Sequence, residues 1–225
     1  MEDELFEKMY EVENRHWWFS AKRAIINNLL ERYLLNQVRK RPLRLVDLGC
    51  GCGRTLQELP AGIEGTGLDS SPLAVLFCGK RGVEARLGTI PDGMALEHGT
   101  YDAVLLADVI EHVGDDAAVV AAAGGLLAPG GVMVITVPAL PSLWSWWDEV
   151  HGHKRRYTRN TLSRATDQDG LRREFIGYFN TILFPFAAAA RLATRKRGAV
   201  ASAQLGVPVR PANAILRSIM AFERH

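Results

Sequence analysis

The sequence contains little cysteine. There are three cysteines in 225 residues, and two of them, Cys50 and Cys52, lie between glycines where a small side chain is needed. An odd count excludes a fully paired disulfide framework, and the spacing does not match a four-ligand zinc set. We therefore expect reduced packing residues, no metal site and a cytoplasmic protein.

The sequence also lacks an excess of charge of either sign. Its formal net charge is only +2. A chain with so little net charge has no strong electrostatic field for a polyanion, so no nucleic-acid partner is expected.

Long unbroken apolar runs and a signal-peptide pattern are missing as well. Residues 117–147 are interrupted by glycine and proline, and residues 175–190 contain Pro185 and are short for a bilayer span. The N-terminus is acidic and then aromatic, unlike a signal peptide. The sequence predicts no stable membrane insertion.

Strand and helix signals alternate along the chain. Strands are predicted near residues 43–48, 64–69, 83–87, 101–107 and 131–137, with 175–179 as a candidate sixth strand, and helices over 20–38, 72–80 and 115–127. Near-continuous apolar strands such as 103–107 are typical of a sheet buried on both faces, and hence parallel. The predicted fold is α/β, a doubly wound, Rossmann-like, mostly parallel sheet with an N-terminal helical extension and a lid insertion after strand five.

Two regions are predicted from this order. Residues 1–41 form an N-terminal helical cap, and residues 42–225 form the main domain, with the lid around 138–160 and a C-terminal helical segment at 181–225. That last segment is apolar with a basic interruption at 191–197. Four interpretations are open for this segment. It covers the substrate pocket, packs between the subunits of a homo-oligomer, contacts a membrane surface, or is an ordinary solvated helix end and loop.

The first predicted strand runs into a glycine loop. Residues 45–53 read Leu-Val-Asp-Leu-Gly-Cys-Gly-Cys-Gly, and Arg54 stands where a dinucleotide fingerprint needs its last glycine. Alternating glycines let a backbone approach a ligand closely, and Asp47 can accept hydrogen bonds from loop amides and an ammonium group. The loop either binds a zwitterionic, ribose-bearing ligand or is a plain structural turn.

Further polar residues follow the other strands. Asp69 ends the second strand roughly twenty residues after the first glycine, where an acid reaches ribose hydroxyls in doubly wound folds; the alternative is a turn former. Either Ser70 or Ser71 caps the next helix. The strand ends, namely Asp47, Asp69, Thr89, Asp108 and Pro138, meet at one edge, where ligands of open α/β sheets bind.

These motifs together resemble the class I S-adenosylmethionine-dependent methyltransferases, most closely the ubiquinone-pathway-like small-molecule subgroup. The resemblance is carried by residues 46–53, 67–72, 101–113 and 126–131. Some bacterial members also share the His-Trp-Trp-Phe at 16–19 and the Gly-His-x-Arg-Arg-Tyr at 152–157. The resemblance implies S-adenosylmethionine as the cofactor.

The resemblance also implies roles for individual residues. The glycines line the methionine and ribose, Asp69 holds the ribose hydroxyls, and Arg23 pairs with the methionine carboxylate. Where the family often has an acid contacting adenine, this chain has Thr89, so backbone groups take that role. The expected cofactor-binding set is Trp18, Phe19, Arg23, Asp47, Gly49, Cys50, Gly51, Gly53, Asp69, Ser70, Thr89, Ala107 and Asp108.

The Trp- and His-rich segment at 144–157 is interpreted as a substrate lid, with a solvated surface loop as the alternative. His153 is the first candidate for a general base and His151 the second, with Asp148 orienting either imidazole. His112 is a third candidate or simply begins a helix. Tyr157 reaches the substrate or anchors the loop. The expected substrate-binding residues are Trp17, Trp144, Trp147 and Tyr157.

The sequence thus predicts methyl transfer to a small, apolar or aromatic molecule, with an oxygen or nitrogen acceptor favoured. A nucleic-acid methyltransferase is opposed by residues 107–110, which lack the Asn/Asp-Pro-Pro-aromatic motif, and a nicotinamide oxidoreductase is opposed by Arg54. A non-catalytic cofactor-binding module is not excluded.

Overall fold

The computed structural model describes residues 3–35, 41–186, 188–189 and 206–224. Three sequence-based predictions therefore lie partly or wholly outside the described residues. They are the end of the N-terminal helix near residue 38, the C-terminal helical segment at 181–225 and the basic interruption at 191–197 within it.

Five parallel strands form one sheet in the order β3-β2-β1-β4-β5. The strands are β1 (Leu43–Leu48), β2 (Ile63–Asp69), β3 (Ala85–Leu87), β4 (Tyr101–Ala107) and β5 (Leu127–Thr136). The order reverses between β1 and β4, which is the switch point of a doubly wound sheet. The predicted fold class is confirmed, and β1 and β4 begin and end where the sequence predicted.

The strand register brings the polar strand ends to one edge. Asp47 of β1 lies beside Gly67 of β2 and Leu105 of β4, and Ala107 lies beside Thr136. The central strands are almost wholly buried because helices cover both faces of the sheet. The carboxyl edge is therefore the part of the sheet at which polar side chains collect.

The helices are α1 (Asp3–Val12), α2 (Trp17–Leu30), α3 (Arg54–Gln57), α4 (Pro72–Lys80), α5 (Asp116–Leu126), α6 (Trp146–Val150), α7 (Arg159–Ala165) and a C-terminal helix (Arg210–Ala221), with a π-helical turn after α2 at Glu31–Leu35. Ser71 caps α4 by accepting a hydrogen bond from the Ala74 amide, and Pro72 fits the first turn. Asp115 caps α5 in the same way.

The N-terminal helices pack directly onto the sheet domain. Ile26 and Leu30 of α2 are fully buried in one core with Leu45 and Leu105 of the sheet. Phe6 of α1 packs against Phe77 of α4. Helix α2 is therefore held rigidly enough to place its polar side chains at the carboxyl edge.

The predicted sixth strand is wrong. Residues 171–180 have no regular structure, and Phe175 is 61% exposed. The prediction rested on an apolar pattern, but no neighbouring strand is present in the described residues to receive it. Phe179 instead packs on Trp18, with ring centroids 5.7 Å apart.

Among the described residues, none of the helices combines the length and the apolar character needed to cross a bilayer.

Candidate functional site

The glycine loop follows β1 and has a backbone that only glycine adopts easily. Gly49, Gly51 and Gly53 have φ values of 78°, 54° and 77°. A Cβ on Gly53 would lie 2.8 Å from Cys78 Sγ, so the loop also packs tightly against α4. Cys50 Sγ lies 3.8 Å from Cys78 Sγ on this buried side, which leaves backbone groups on the ligand side.

Asp69 ties the glycine loop to the next strand. One carboxylate oxygen accepts the Gly51 amide and the other accepts the Ser71 amide, each at 2.9 Å. An ionised carboxylate has about four acceptor positions, so two amides leave capacity for hydroxyl donors. The side chain is oriented by its backbone partners before any ligand binds.

Asp47 is the most buried acid of this edge, with 2% of its surface exposed. Its Oδ1 has no hydrogen-bond partner among the described residues. Burial is the main reason that the pKa of Asp47 is raised to about 7; Lys22 opposes the rise, and the charge of Asp69 contributes to it. A buried acceptor without a donor is unfavourable, and a ligand that supplies a donor would remove that penalty.

Lys22 of α2 lies at the same edge and is not among the residues predicted from the sequence. Its Nζ lies 2.6 Å from Asp108 Oδ2, and its side chain is only 13% exposed. Asp108 has a positive φ of 58° and also accepts the Thr136 hydroxyl at 3.0 Å. The pair connects α2 to the ends of β4 and β5, across the carboxyl edge.

Arg23 was expected to hold a carboxylate of the cofactor, but protein groups engage it in the structure. Its Nε donates to Glu58 Oε2 at 2.5 Å, and its Nη1 donates to the Glu13 carbonyl at 3.0 Å. The side chain is 5% exposed. Lys22 is therefore the cation on α2 that faces the strand ends.

The three candidate bases come together although 41 residues separate the first from the last. The ring centroids of His112 and His153 are 4.8 Å apart, and those of His151 and His153 are 5.9 Å apart. Burial lowers the pKa of His112 to about 4, with His153 adding to the effect, and burial also lowers the pKa of His151. At neutral pH, His112 and His151 are therefore neutral imidazoles.

Glu111 lies beside this cluster and is fully buried. Neither of its carboxyl oxygens has a hydrogen-bond partner among the described residues. Burial raises its pKa to about 9, and the charge of Asp108 adds to the rise. Glu111 is not among the residues predicted from the sequence, although it stands next to His112 in the motif after β4.

Asp148 organises the segment that carries His153. Its Oδ1 lies 2.9 Å from His153 Nδ1 and accepts the Arg156 Nε at 2.7 Å. Burial raises the pKa of Asp148, but the hydrogen bonds from His153 and Arg156 lower it by more. The pKa therefore lies below the ordinary value. The imidazole of His153 is thereby held in one orientation, as the sequence analysis proposed.

A cleft of about 520 Å³ opens beside His112. Its wall includes Ile90, Asp92, Val113 and Lys154. The cleft lies between the segment after β3 and the start of α5, so it borders the histidine cluster and not the glycine loop.

A family model described as "Methyltransferase domain" matches residues 15–173. This match covers more than half of the chain and includes the glycine loop, the strand ends and the histidine cluster. The chain belongs to the methyltransferase domain family. S-adenosylmethionine is accordingly the cofactor of this methyltransferase.

Curated relatives of this methyltransferase are ubiquinone biosynthesis O-methyltransferases. The protein of Nitrosococcus oceani is 32% identical over 122 residues, which cover 47% of this chain and 48% of the relative. The protein of Xanthomonas axonopodis pv. citri is 27% identical over 140 residues, covering 58% of this chain and 59% of the relative. The chain thus matches only about half the length of these relatives.

Solved structures show the same fold at lower identity. A chain in the complex of the Haloferax volcanii Trm112 methyltransferase activator with a methyltransferase superposes with a TM-score of 0.57 at 21% identity, covering 87% of this chain and 89% of that one. Haemonchus contortus phosphoethanolamine N-methyltransferase 2, solved with S-adenosylmethionine, superposes with a TM-score of 0.53 at 20% identity. The match covers 87% of this chain and 47% of that one.

The residues of this methyltransferase fit its cofactor. The Asp47 Oδ1 needs a donor, which an ammonium group supplies, and the Asp69 carboxylate has room for hydroxyl donors. The positive-φ glycines between them keep side chains out of the space along the loop. Lys22 adds a positive charge at the same edge, where a carboxylate would pair with it.

The remaining predicted residues lie around this edge. Ser70 and Thr89 are exposed next to β2 and β3, and Ala107 is half-buried at the end of β4. The ring of Phe19 lies edge-on to that of His16, with centroids 5.7 Å apart, and the Trp17 amide donates a hydrogen bond to Asn213 Oδ1.

The two predicted tryptophans after β5 contact neighbours in their own segment. The ring centroids of Trp147 and His151 are 4.0 Å apart, and Trp144 Nε1 donates a hydrogen bond to Glu149. Their contacts with cofactor or substrate stay predictions.

Tyr157 has a local role that the structure describes fully. Its hydroxyl lies 2.7 Å from Asp116 Oδ2 and 3.2 Å from the Ile110 carbonyl, and the residue is 3% exposed. Of the two roles considered for Tyr157, this geometry favours the loop anchor over contact with substrate.

Proposed function

We propose that this protein transfers a methyl group from S-adenosylmethionine to an oxygen of a small, apolar or aromatic molecule. The observation that carries the proposal is the convergence of His112, His151 and His153 beside the strand edge. A nitrogen acceptor would use the same groups. The ubiquinone biosynthesis O-methyltransferases among the curated relatives favour oxygen.

The cofactor, when bound, supplies an activated methyl group on a sulfonium, so the protein mainly has to position the acceptor and exclude water. The three histidines are half-buried, which limits the access of water to them. His151 carries a lowered pKa and is neutral at pH 7, so it has a nitrogen able to take a proton from an acceptor hydroxyl.

We assign cofactor holding to residues on both sides of the glycine loop. Asp47 accepts a hydrogen bond from the ammonium group of the cofactor, and Asp69 accepts hydrogen bonds from its ribose hydroxyls. Lys22, in place of Arg23, pairs with the methionine carboxylate. The Lys22 assignment rests on position, because Lys22 Nζ lies at the strand ends beside Asp108, whereas Glu58 holds the Arg23 guanidinium. We place the protein in the cytoplasm, in keeping with its three reduced thiols.

A thermal-shift titration tests the cofactor. S-adenosylhomocysteine should raise the melting temperature, because a ligand present at 100 times its Kd stabilises a protein by about 2.7 kcal/mol, and NAD should not. Stabilisation by NAD alone would overturn the proposal.

The Lys22→Met variant tests the assignment within the site. Its affinity for S-adenosylhomocysteine should fall at least about tenfold, since a partly buried ion pair with the ligand is lost. Lys8→Met, at an exposed side chain of α1 that pairs with Glu11, is the matched control and should bind normally. Equal affinities in the two variants would remove Lys22 from the site.

Transfer of a labelled methyl group to phenols, amines and isoprenoid lipids tests the acceptor class. Label should appear on a phenol or another hydroxyl compound. Label found exclusively on amines would replace oxygen by nitrogen in the proposal.

A further inference from the structure

We propose that Arg81 is a positioning residue for cofactor binding, because its guanidinium fixes the middle of the glycine loop. Arg81 directly follows α4, and its side chain is 5% exposed. Its Nε donates a hydrogen bond to the Cys52 carbonyl of the loop at 2.8 Å. The inference rests on the proposed function, in which the glycine loop holds S-adenosylmethionine.

The peptide unit that Arg81 holds lies between two glycines. Gly51 and Gly53 flank Cys52 with φ values of 54° and 77°, and glycine loses more conformational freedom on folding than any other residue. The carbonyl of Cys52 and the amide of Gly53 belong to one planar unit. Arg81 donates to that carbonyl, and the Cys50 carbonyl accepts that amide at 3.1 Å, so both ends of the unit are fixed.

Asp69 fixes a second peptide unit of the same loop, since its carboxylate accepts the Gly51 amide at 2.9 Å. The two side chains stand at opposite ends of α4, because Asp69 precedes this helix and Arg81 follows it. The loop is therefore held from both ends of one rigid element. A ligand that meets groups already oriented loses less entropy on binding, so its affinity is higher.

The guanidinium of Arg81 is itself held by α1 and the turn after it. Nη2 donates to Glu13 Oε1 at 2.6 Å and to the Tyr10 carbonyl at 3.1 Å, and Nη1 donates to Asn14 Oδ1 at 3.0 Å. Its Cζ lies 4.3 Å from the centre of the Tyr10 ring, which is a cation–π contact. This planar group with several donors makes contacts that a lysine ammonium could not reproduce.

Helix α1 also contacts the glycine loop without the help of Arg81. Cys52 Sγ lies 3.6 Å from the Phe6 carbonyl, and a Cβ on Gly51 would lie 3.2 Å from Met9 Cε. A side chain that only fastened α1 to α4 would need no bond to the loop. Its loss would lower stability and leave the affinity of the folded protein for the cofactor unchanged, which separates the two roles by experiment.

Titration calorimetry with S-adenosylhomocysteine tests the positioning role. Arg81→Met should bind at least about tenfold more weakly, because a charge-assisted hydrogen bond to the loop is lost. Arg41→Met is the matched control and should bind normally, since it breaks an ion pair of similar length with Asp102 at the start of β4. The binding stoichiometry reports the folded fraction of each variant.

Hydrogen exchange of the unliganded protein gives a local readout. The amides of residues 49–53 should exchange at least about fivefold faster in Arg81→Met than in the wild type, and at the wild-type rate in Arg41→Met. A role confined to global stability would instead change exchange throughout the chain. Unchanged exchange at the loop would overturn the inference.

Arg81→Met also leaves the buried Glu13 carboxylate without its ion pair, so a second variant is needed. The double variant Glu13→Gln with Arg81→Met leaves no such charge, and its affinity should stay at least about tenfold reduced. Wild-type affinity in either variant would overturn the inference and leave the proposed function intact. A wild type that does not bind S-adenosylhomocysteine would overturn both.

Discussion

Replacement of Asp47 by Asn should make the protein more stable at neutral and alkaline pH. Asp47 is 2% exposed and its Oδ1 has no partner among the described residues. The folded protein therefore favours the uncharged carboxyl group, and the pKa rises from 3.8 to about 7. The Asn side chain has nearly the same shape and carries no charge at any pH.

The size of the effect follows from the two pKa values. A group with a raised folded pKa binds more protons in the native than in the unfolded state, so stability falls as pH rises between them. Each unit corresponds to about 1.4 kcal/mol, so a shift from 3.8 to about 7 is an upper bound of about 4 kcal/mol. Relative to Asp47→Asn, the wild type should lose stability between pH 4 and pH 7 and then level off.

Urea denaturation of both proteins at pH steps from 4.5 to 8.5 measures this difference. The gap in the free energy of unfolding should open by about 1 kcal/mol per pH unit up to pH 7. Asp169→Asn makes the same chemical change at an exposed position and corrects for the loss of a surface charge. A gap that does not change with pH would refute the reasoning that burial keeps Asp47 neutral.

Two further predictions concern packing. Gly53→Ala should destabilise the protein by about 2–4 kcal/mol, since φ is 77° and the new Cβ would meet Cys78 Sγ at 2.8 Å. Gly62→Ala, with φ of 89° and open space, should cost about 1–2 kcal/mol; equal losses in chemical denaturation would contradict the packing argument. Tyr157→Phe should cost about 1–3 kcal/mol through the lost bond to Asp116 while S-adenosylhomocysteine affinity is kept. A higher KM for the acceptor with unchanged stability would show instead that the Tyr157 hydroxyl reaches the substrate.

Much of the sheet was predictable because the signals are local. A buried parallel strand appears in the sequence as a short apolar run. The run at 43–48 ends at Gly49, and the run at 101–107 ends at Asp108. The region at 175–179 has a similar pattern but no neighbouring strand among the described residues. An apolar segment becomes a strand when a partner edge exists, and that depends on the rest of the chain.

The direction of single side chains was harder to predict. Lys22 and Arg23 are adjacent on α2, and consecutive helical residues point about 100° apart. The sequence suggested the guanidinium for the ligand, because it matches a carboxylate well. The packing of α2 on the sheet turns Arg23 towards Glu13 and Glu58 and turns Lys22 towards Asp108.

The glycine spacing, the acids at the strand ends and the motif after β4 were enough to indicate the fold and the cofactor, because each is a short-range pattern that works within a few residues of the backbone. The cluster of Glu111, His112 and His153 is different. Its members lie on two segments more than 40 residues apart, and they meet because the segment at 144–157 folds back over the end of β4. Long-range packing of this kind leaves no periodic signal in the sequence.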